Sequence, residues 1–219
     1  MKSIIFSFFY LFFGFNAFSQ YQSGYLLNYN SDTTTGFIRI QSGKINCRQV
    51  FFKTNMQDEG TLYMPGEVKG YSISNGDSYQ TESITYREKT LTANNLLEES
   101  KRNAEESEPV MVNDTAFLCI LITGKASLFS YYDDNANEYF FIRKEGDNIY
   151  ELYQLMKFGR WREGSFIKGG YRLEKNYLGI LRFLFNDCQG LMPKIDKTDF
   201  TESALIKITR LYNDCEAGK

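Results

Sequence analysis

The sequence predicts an α+β fold: antiparallel β-strands forming one or two small sheets, followed by a helical C-terminal segment. Three observations predict it. Short runs of alternating character, broken by Asn, Asp, Ser and Gly, recur from Gly24 to Arg143, the pattern of antiparallel strands and their turns. Two stretches with helical spacing of apolar residues close the chain. Each of these ends in the same tripeptide, Asn186-Asp187-Cys188 and Asn213-Asp214-Cys215.

Residues 1–19 stand apart from that fold. Lys2 gives a positive start, Ile4 to Phe15 is almost wholly apolar, and Ala17-Phe18-Ser19 precedes Gln20. A charged start, a short apolar stretch and small residues at −3 and −1 predict an export signal peptide cleaved before Gln20. A spanning helix needs about 20 apolar residues, and this run stops near Phe18. The first cysteine is Cys47, so a lipid-modified cysteine at the cleavage site is not expected. No later apolar run is long enough to span, so no integral membrane segment is expected after cleavage.

The elements follow in order. Gly24 to Tyr29 and Gly36 to Ile40 read as two strands joined at Asn30-Ser31-Asp32. In the second, Phe37 and Arg39 share one face, Ile38 and Ile40 the other. Ser42-Gly43 turns the chain. Gln49 to Lys53, Gly60 to Met64 and Val68 to Ser74 are further strands. Asn75-Gly76-Asp77 is the clearest hairpin turn, because Asn-Gly tolerates the positive φ of a tight turn. Ser78 to Tyr86 returns from it.

The stretch 91–115 is charged and poor in apolar residues until Val110. It reads either as a solvated helix, with Glu98 four before Arg102, or as a mobile loop. It divides a β segment, 20–90, from a second part, 116–219. Ala116 to Thr123 is a buried strand, Ala126 to Tyr132 returns, and Glu138 to Arg143 completes a meander. In the middle strand Leu128 and Tyr132 share one face, Phe129 and Tyr131 the other. Ile149, Leu152, Tyr153 and Met156 have helical spacing, which predicts a short helix from Ile149 to Phe158. Gly159 to Tyr171 reads as a Gly-rich basic loop. Helices over Leu173 to Asp187 and Phe200 to Tyr212 pack apolar faces on the sheet.

Cys188 and Cys215 are expected to bond. The second helix is roughly 20 Å long at 1.5 Å per residue, and the connection Gln189 to Asp199 is long enough to run back that distance first. The helix then returns beside Cys188. Closing this loop stabilises the fold by about 3 kcal/mol in the chain-entropy model. Cys119 reads as a buried small hydrophobe; whether Cys47 pairs with it stays open.

The chain has no histidine. That excludes Ser-His-Asp and Cys-His machinery and histidine-based zinc sites. Carboxylate-only glycan hydrolysis survives, with Glu138, Glu145, Glu151 and Glu163 as acids near aromatics. No metal or cofactor is expected. The formal charge of −2 becomes −3 without Lys2, and this is no footprint of a nucleic-acid binder. Candidate ligand-binding residues are Arg160, Trp161 and Arg162, since Arg pairs with carboxylate or phosphate and Trp stacks. The alternative is a connecting loop with Trp161 against the core.

Several short motifs resemble a family of exported Bacteroidetes proteins of unknown function. They are Gly24-Tyr25-Leu26 with Asp32-Thr33 and Gly36-Phe37-Ile38, then Val68-Lys69-Gly70-Tyr71 with Asn75-Gly76-Asp77 and Tyr79. Gly124-Lys125-Ala126-Ser127-Leu128, Cys188 and Tyr212-Asn213-Asp214-Cys215 complete the pattern. The resemblance implies an envelope location, periplasmic or cell-surface, and supplies no activity. The functional expectation is a non-catalytic envelope protein that binds a protein or glycan partner. An assembly factor with one obligate partner is the alternative, ahead of a carboxylate-based glycan hydrolase.

Overall fold

The computed structural model describes residues 20–89, 110–163 and 165–215. The expected signal peptide and most of the charged stretch 91–115 lie outside the described residues. The described residues build one ten-stranded antiparallel sheet, a separate two-stranded ribbon and a C-terminal group of helices. The strand region is therefore one large sheet, not two small ones.

The N-terminal strands are β1 (Tyr21–Leu27), β2 (Thr33–Arg39), β3 (Val50–Lys53), β4 (Thr61–Tyr63), β5 (Gly70–Ile73) and β6 (Ser78–Arg87). A single helical turn, α1 (Gly43–Asn46), lies between β2 and β3 where only a turn was expected. The meander is β7 (Met111–Ile122), β8 (Ala126–Tyr132), β9 (Glu138–Lys144) and β10 (Tyr150–Leu152). The order across the sheet is β10-β9-β8-β7-β6-β5-β1-β2-β3-β4. Only β5 breaks the sequential order, returning past three strands to pair with β1. The turn at Asn75-Gly76 forms as expected, with Asn75 at φ 57°.

β7 starts five residues before Ala116. Met111 to Thr115 pair with Arg87 to Ser83; exposed Met111, Asn113 and Thr115 alternate with half-buried Val112 and Asp114, and the polar run Asn113-Asp114-Thr115 hid the strand in sequence. Gly24 and Gly36 sit opposite each other in β1 and β2. A Cβ at Gly24 would press into the Ser72 carbonyl oxygen, and one at Gly36 into that of Lys53. The backbones approach closely there, and glycine permits the sharp coiling of that half of the sheet.

Two cores result. One holds Leu26, Ile38, Phe52, Tyr71, Phe117 and Phe141 among others, inside the coiled sheet. The second joins Leu128, Phe140, Ile142 and Leu152 to the helices. Strand β8 lies between them: Leu128 faces the helices, while Phe129 and Tyr131 face the sheet interior, each at most 1% exposed. The alternation read from the sequence holds for Leu128, Phe129 and Tyr131, while Tyr132, expected on the Leu128 side, is half-buried and packs against the sheet-interior core.

The ladder between β7 and β8 runs from Ile122↔Leu128 to Cys119↔Ser130, with a register shift between Ile120 and Ile122. Beyond it the Cys47–Arg48 turn fills the gap. The Cys47 carbonyl accepts the Phe117 N–H at 2.9 Å, its sulfur accepts the Tyr132 N–H at 3.5 Å, and Arg48 pairs with Asp114 and Asp134.

The helical end comprises α2 (Asn176–Leu184), a 3-10 turn (Gln189–Leu191), α3 (Met192–Ile195) and α4 (Glu202–Asn213). Burying Tyr177, Leu181, Leu184, Leu205 and Ile208 contributes about 2 kcal/mol per side chain. Thr201 caps α4 by accepting the Ala204 N–H at 3.3 Å. The connection does run back, because Cys188 and Cys215 are bonded.

The expected helix from Ile149 to Phe158 is not formed. Tyr150–Leu152 is an edge strand on β9, and Leu155 opens β11 (Leu155–Glu163), which pairs with β12 (Phe166–Glu174). The helical spacing was outweighed by two gains: β9 had an open edge, and Glu151 reaches Arg87. The segment read as a Gly-rich loop is thus a nine-residue-per-strand hairpin.

Candidate functional site

Among the described residues β11 and β12 pair only with each other. An isolated two-stranded hairpin is marginal in water, so this ribbon stands out against a sheet of ten strands. Its base is fixed by the scaffold: the Tyr177 N–H of α2 donates to the Tyr153 carbonyl at 2.9 Å, and the Arg87 guanidinium lies 3.5 Å from the centre of the Tyr153 ring.

The structure puts the three candidate ligand-binding residues in the outer half of this ribbon. Arg160 lies opposite Gly169, Trp161 opposite Lys168 and Arg162 opposite Ile167. Gly159 faces Gly170 one step nearer the base. Glycine is depleted in strands, and this cluster of Gly159, Gly169 and Gly170 made the segment read as a loop. Only long-range pairing between the two runs reveals the ribbon.

Of the four candidate acids, Glu138, Glu145 and Glu151 are not gathered. Glu138 opens β9 and accepts the Tyr132 hydroxyl at 2.6 Å. Glu145, exposed, follows the other end of the same strand, roughly 23 Å away at 3.3 Å per residue. Glu151 lies opposite Phe141, and so on the other pleat from Glu138. Glu163 ends β11. Paired glycosidase carboxylates sit about 5–10 Å apart, and Glu138, Glu145 and Glu151 do not.

Glu151 instead closes the roll of the sheet. It accepts the Arg87 backbone N–H at 3.1 Å and pairs with its guanidinium at 2.8 Å. Burial raises its carboxyl above the ordinary value, and the Arg87 charge and hydrogen bonds pull the other way. Glu82 and Arg143 bridge β6 and β9 at 2.7 Å. Within the roll, the Tyr131 hydroxyl donates to Asp114 at 2.8 Å and Tyr139 to Asp133 at 3.0 Å. Burial holds the Tyr86, Tyr131 and Tyr139 phenols above their ordinary value, and Tyr131 and Tyr139 serve as neutral donors. No sequence signal announced these bridges, since each joins residues distant in the chain.

Two adjoining open depressions lie over β6 and β7. The larger, about 560 Å³, is lined by Tyr29, Glu82, Ser83, Thr115, Arg143 and Asn148. The smaller, about 430 Å³, shares Ser83 and Thr115 with it. The one acid–base pair in the larger is the Glu82–Arg143 bridge, already joined. Among the described residues no group of three or more Cys, Asp or Glu is placed to hold a metal, and no helix is long and apolar enough to cross a membrane.

The repeated Asn-Asp-Cys tripeptides turn out to be fasteners. The Asn213 side chain accepts the Ala126 N–H at 2.8 Å and donates to the Ala126 carbonyl at 3.0 Å and the Thr123 carbonyl at 3.3 Å. Lys125 donates to the Cys215 carbonyl. Asp187 takes Lys144 at 2.9 Å and the Tyr212 hydroxyl at 3.1 Å. The Tyr212 ring stacks on Phe185 at 3.9 Å.

The class this defines is a mostly β, disulfide-closed α+β protein with a separate two-stranded β-ribbon. No protein-family model, curated protein or solved structure matches the chain.

Proposed function

We propose that this is an exported, non-catalytic envelope protein that binds a protein or glycan partner, with the β11–β12 ribbon as its contact surface. The ribbon carries this reading: its strands pair only with each other among the described residues, and it presents Met156 and Phe166 to solvent. A two-stranded hairpin is marginal by itself in water, and contact with a partner would supply the support its own pairing lacks. Export is supported by the apolar start of the chain and by the Cys188–Cys215 bond, since disulfides persist in oxidising compartments. An assembly factor with one obligate partner is the narrower form of the same reading. The dispersed acids weigh against a glycan hydrolase.

The test is cross-linking in intact native cells, followed by purification and mass spectrometry. We expect envelope material, a protein or a glycan, to be enriched with the wild-type chain and reduced with an Arg160→Glu/Arg162→Glu variant. Recovery in the cytosolic fraction, or identical enrichment with the variant, would sink the proposal.

A further inference from the structure

We propose that the β11–β12 ribbon seats on an anionic phospholipid surface, holding the protein at a membrane face. This rests on the reading of the ribbon as the contact surface and gives the ribbon itself lipid as its occupant.

The first argument is charge. Lys157, Arg160, Arg162, Lys168 and Arg172 lie on the two strands, with Glu163 and Glu174 as the acids. Five cations against two carboxylates make the ribbon +3, in a chain whose formal charge is −2. The element whose strands pair only with each other among the described residues therefore carries the opposite sign to the rest of the molecule. Such a basic segment is drawn to anionic headgroups.

The second argument is apolar exposure. Met156 is 61% exposed, Leu173 40% and Phe166 75%. Met156 and Leu173 are cross-strand partners at the base, and Phe166 belongs to the last pair, Glu163↔Phe166. Phe183 of α2, 62% exposed, packs edge-on against Tyr150, on the strand that leads into the ribbon. The pleat sets Met156 and Leu173 on one face at the base and Phe166 on the other face at the tip, so apolar groups mark both ends and both faces of the ribbon. Between them the register sets Phe158 opposite Tyr171 and Trp161 opposite Lys168.

Lipid fits this combination better than the other occupants. A glycan has no use for exposed Met and Leu, whereas an acyl boundary buries them. Aromatic residues with a polar tip are enriched at the membrane–water interface, and Arg and Lys lay their stems on apolar ground while keeping the charge at headgroup level.

Trp161 is the chain's only tryptophan, so its fluorescence reports the ribbon alone. The protein recovered after export is mixed with vesicles of phosphatidylglycerol or of phosphatidylcholine. The expected result is a blue shift of the emission with phosphatidylglycerol, absent with phosphatidylcholine and fading as salt screens the attraction. Arg160→Glu/Arg162→Glu weakens vesicle binding by at least about 25-fold, at about fivefold per basic residue near an anionic surface. Phe166→Ser also weakens it, with every charge intact and the circular dichroism unchanged.

No shift with phosphatidylglycerol, or an equal shift with both lipids, overturns the lipid assignment. Cross-linking with the same double variant then separates the two readings. If vesicles leave Trp161 unmoved and the variant loses its cross-linked partner, lipid falls and the ribbon remains a contact surface for protein or glycan. If the variant keeps its partner as well, both readings fall.

Discussion

Asp133 shows how much one side chain organises here. It is 4% exposed at the β8–β9 turn. One carboxylate oxygen accepts the N–H groups of Asn135 and Asn137, at 2.9 and 2.8 Å. The other accepts the Asn137 amide at 2.9 Å and the Tyr139 hydroxyl at 3.0 Å. Burial by itself would raise this carboxyl, but the Asn137, Tyr139 and Asn135 hydrogen bonds outweigh it and hold it below the ordinary value. A carboxyl depressed in the folded state stabilises the fold above its unfolded pKa, near 3.9, and that contribution is lost as pH falls through the folded value. Asp133→Asn turns one acceptor into a donor facing two donors. It should lower stability by about 2 kcal/mol at pH 7, and the gap to wild type should narrow below about pH 4. Urea midpoints at pH 7 and pH 3 check this; an equal gap at both would refute the assignment.

At the scale of elements, the helical end is fastened to the sheet at several points. The disulfide joins the end of the α2 region to the end of α4, Asn213 holds the β7–β8 turn, and Asp187 ties Lys144 of β9 to Tyr212. Replacing Cys188 and Cys215 together by Ala should cost about 3 kcal/mol, the entropy of a loop of this size released in the unfolded chain. The change is read from the guanidinium midpoint. Labelling of both cysteines in intact protein without reductant would show instead that the bond is absent. The hairpin β11–β12 is the element least predictable locally, because its glycines and arginines gave a loop pattern while its order comes from Leu155 to Glu163 meeting Phe166 to Glu174 in register.

Across the whole molecule, Cys47 and Cys119 report the integrity of the rolled sheet. Cys47 is fully buried, and burial pushes its thiol up to about 11; burial likewise pushes Cys119 up to about 12. The thiolate is the reactive form, so neither should react with iodoacetamide at pH 8 in the native protein. Both should label in denaturant, counted by intact mass. Labelling of Cys47 under native conditions would show that the Cys47–Arg48 turn leaves the gap between β7 and β8 without global unfolding.

Local chemistry was enough to determine most strands, the Asn75-Gly76 turn, the two faces of β8 and the Cys188–Cys215 bond, because period-two alternation, a positive-φ turn and helix length act over short stretches of chain. The pairing of β5 with β1, the union of all ten strands in one sheet and the Arg87–Glu151 closure were decided only by tertiary structure. Each joins residues whose partners lie far along the chain, where no local propensity acts. The same cause moved Tyr150–Leu152 from helix to strand. Its apolar spacing suits either form, and the open edge of β9 with the Arg87 guanidinium beyond it made the choice.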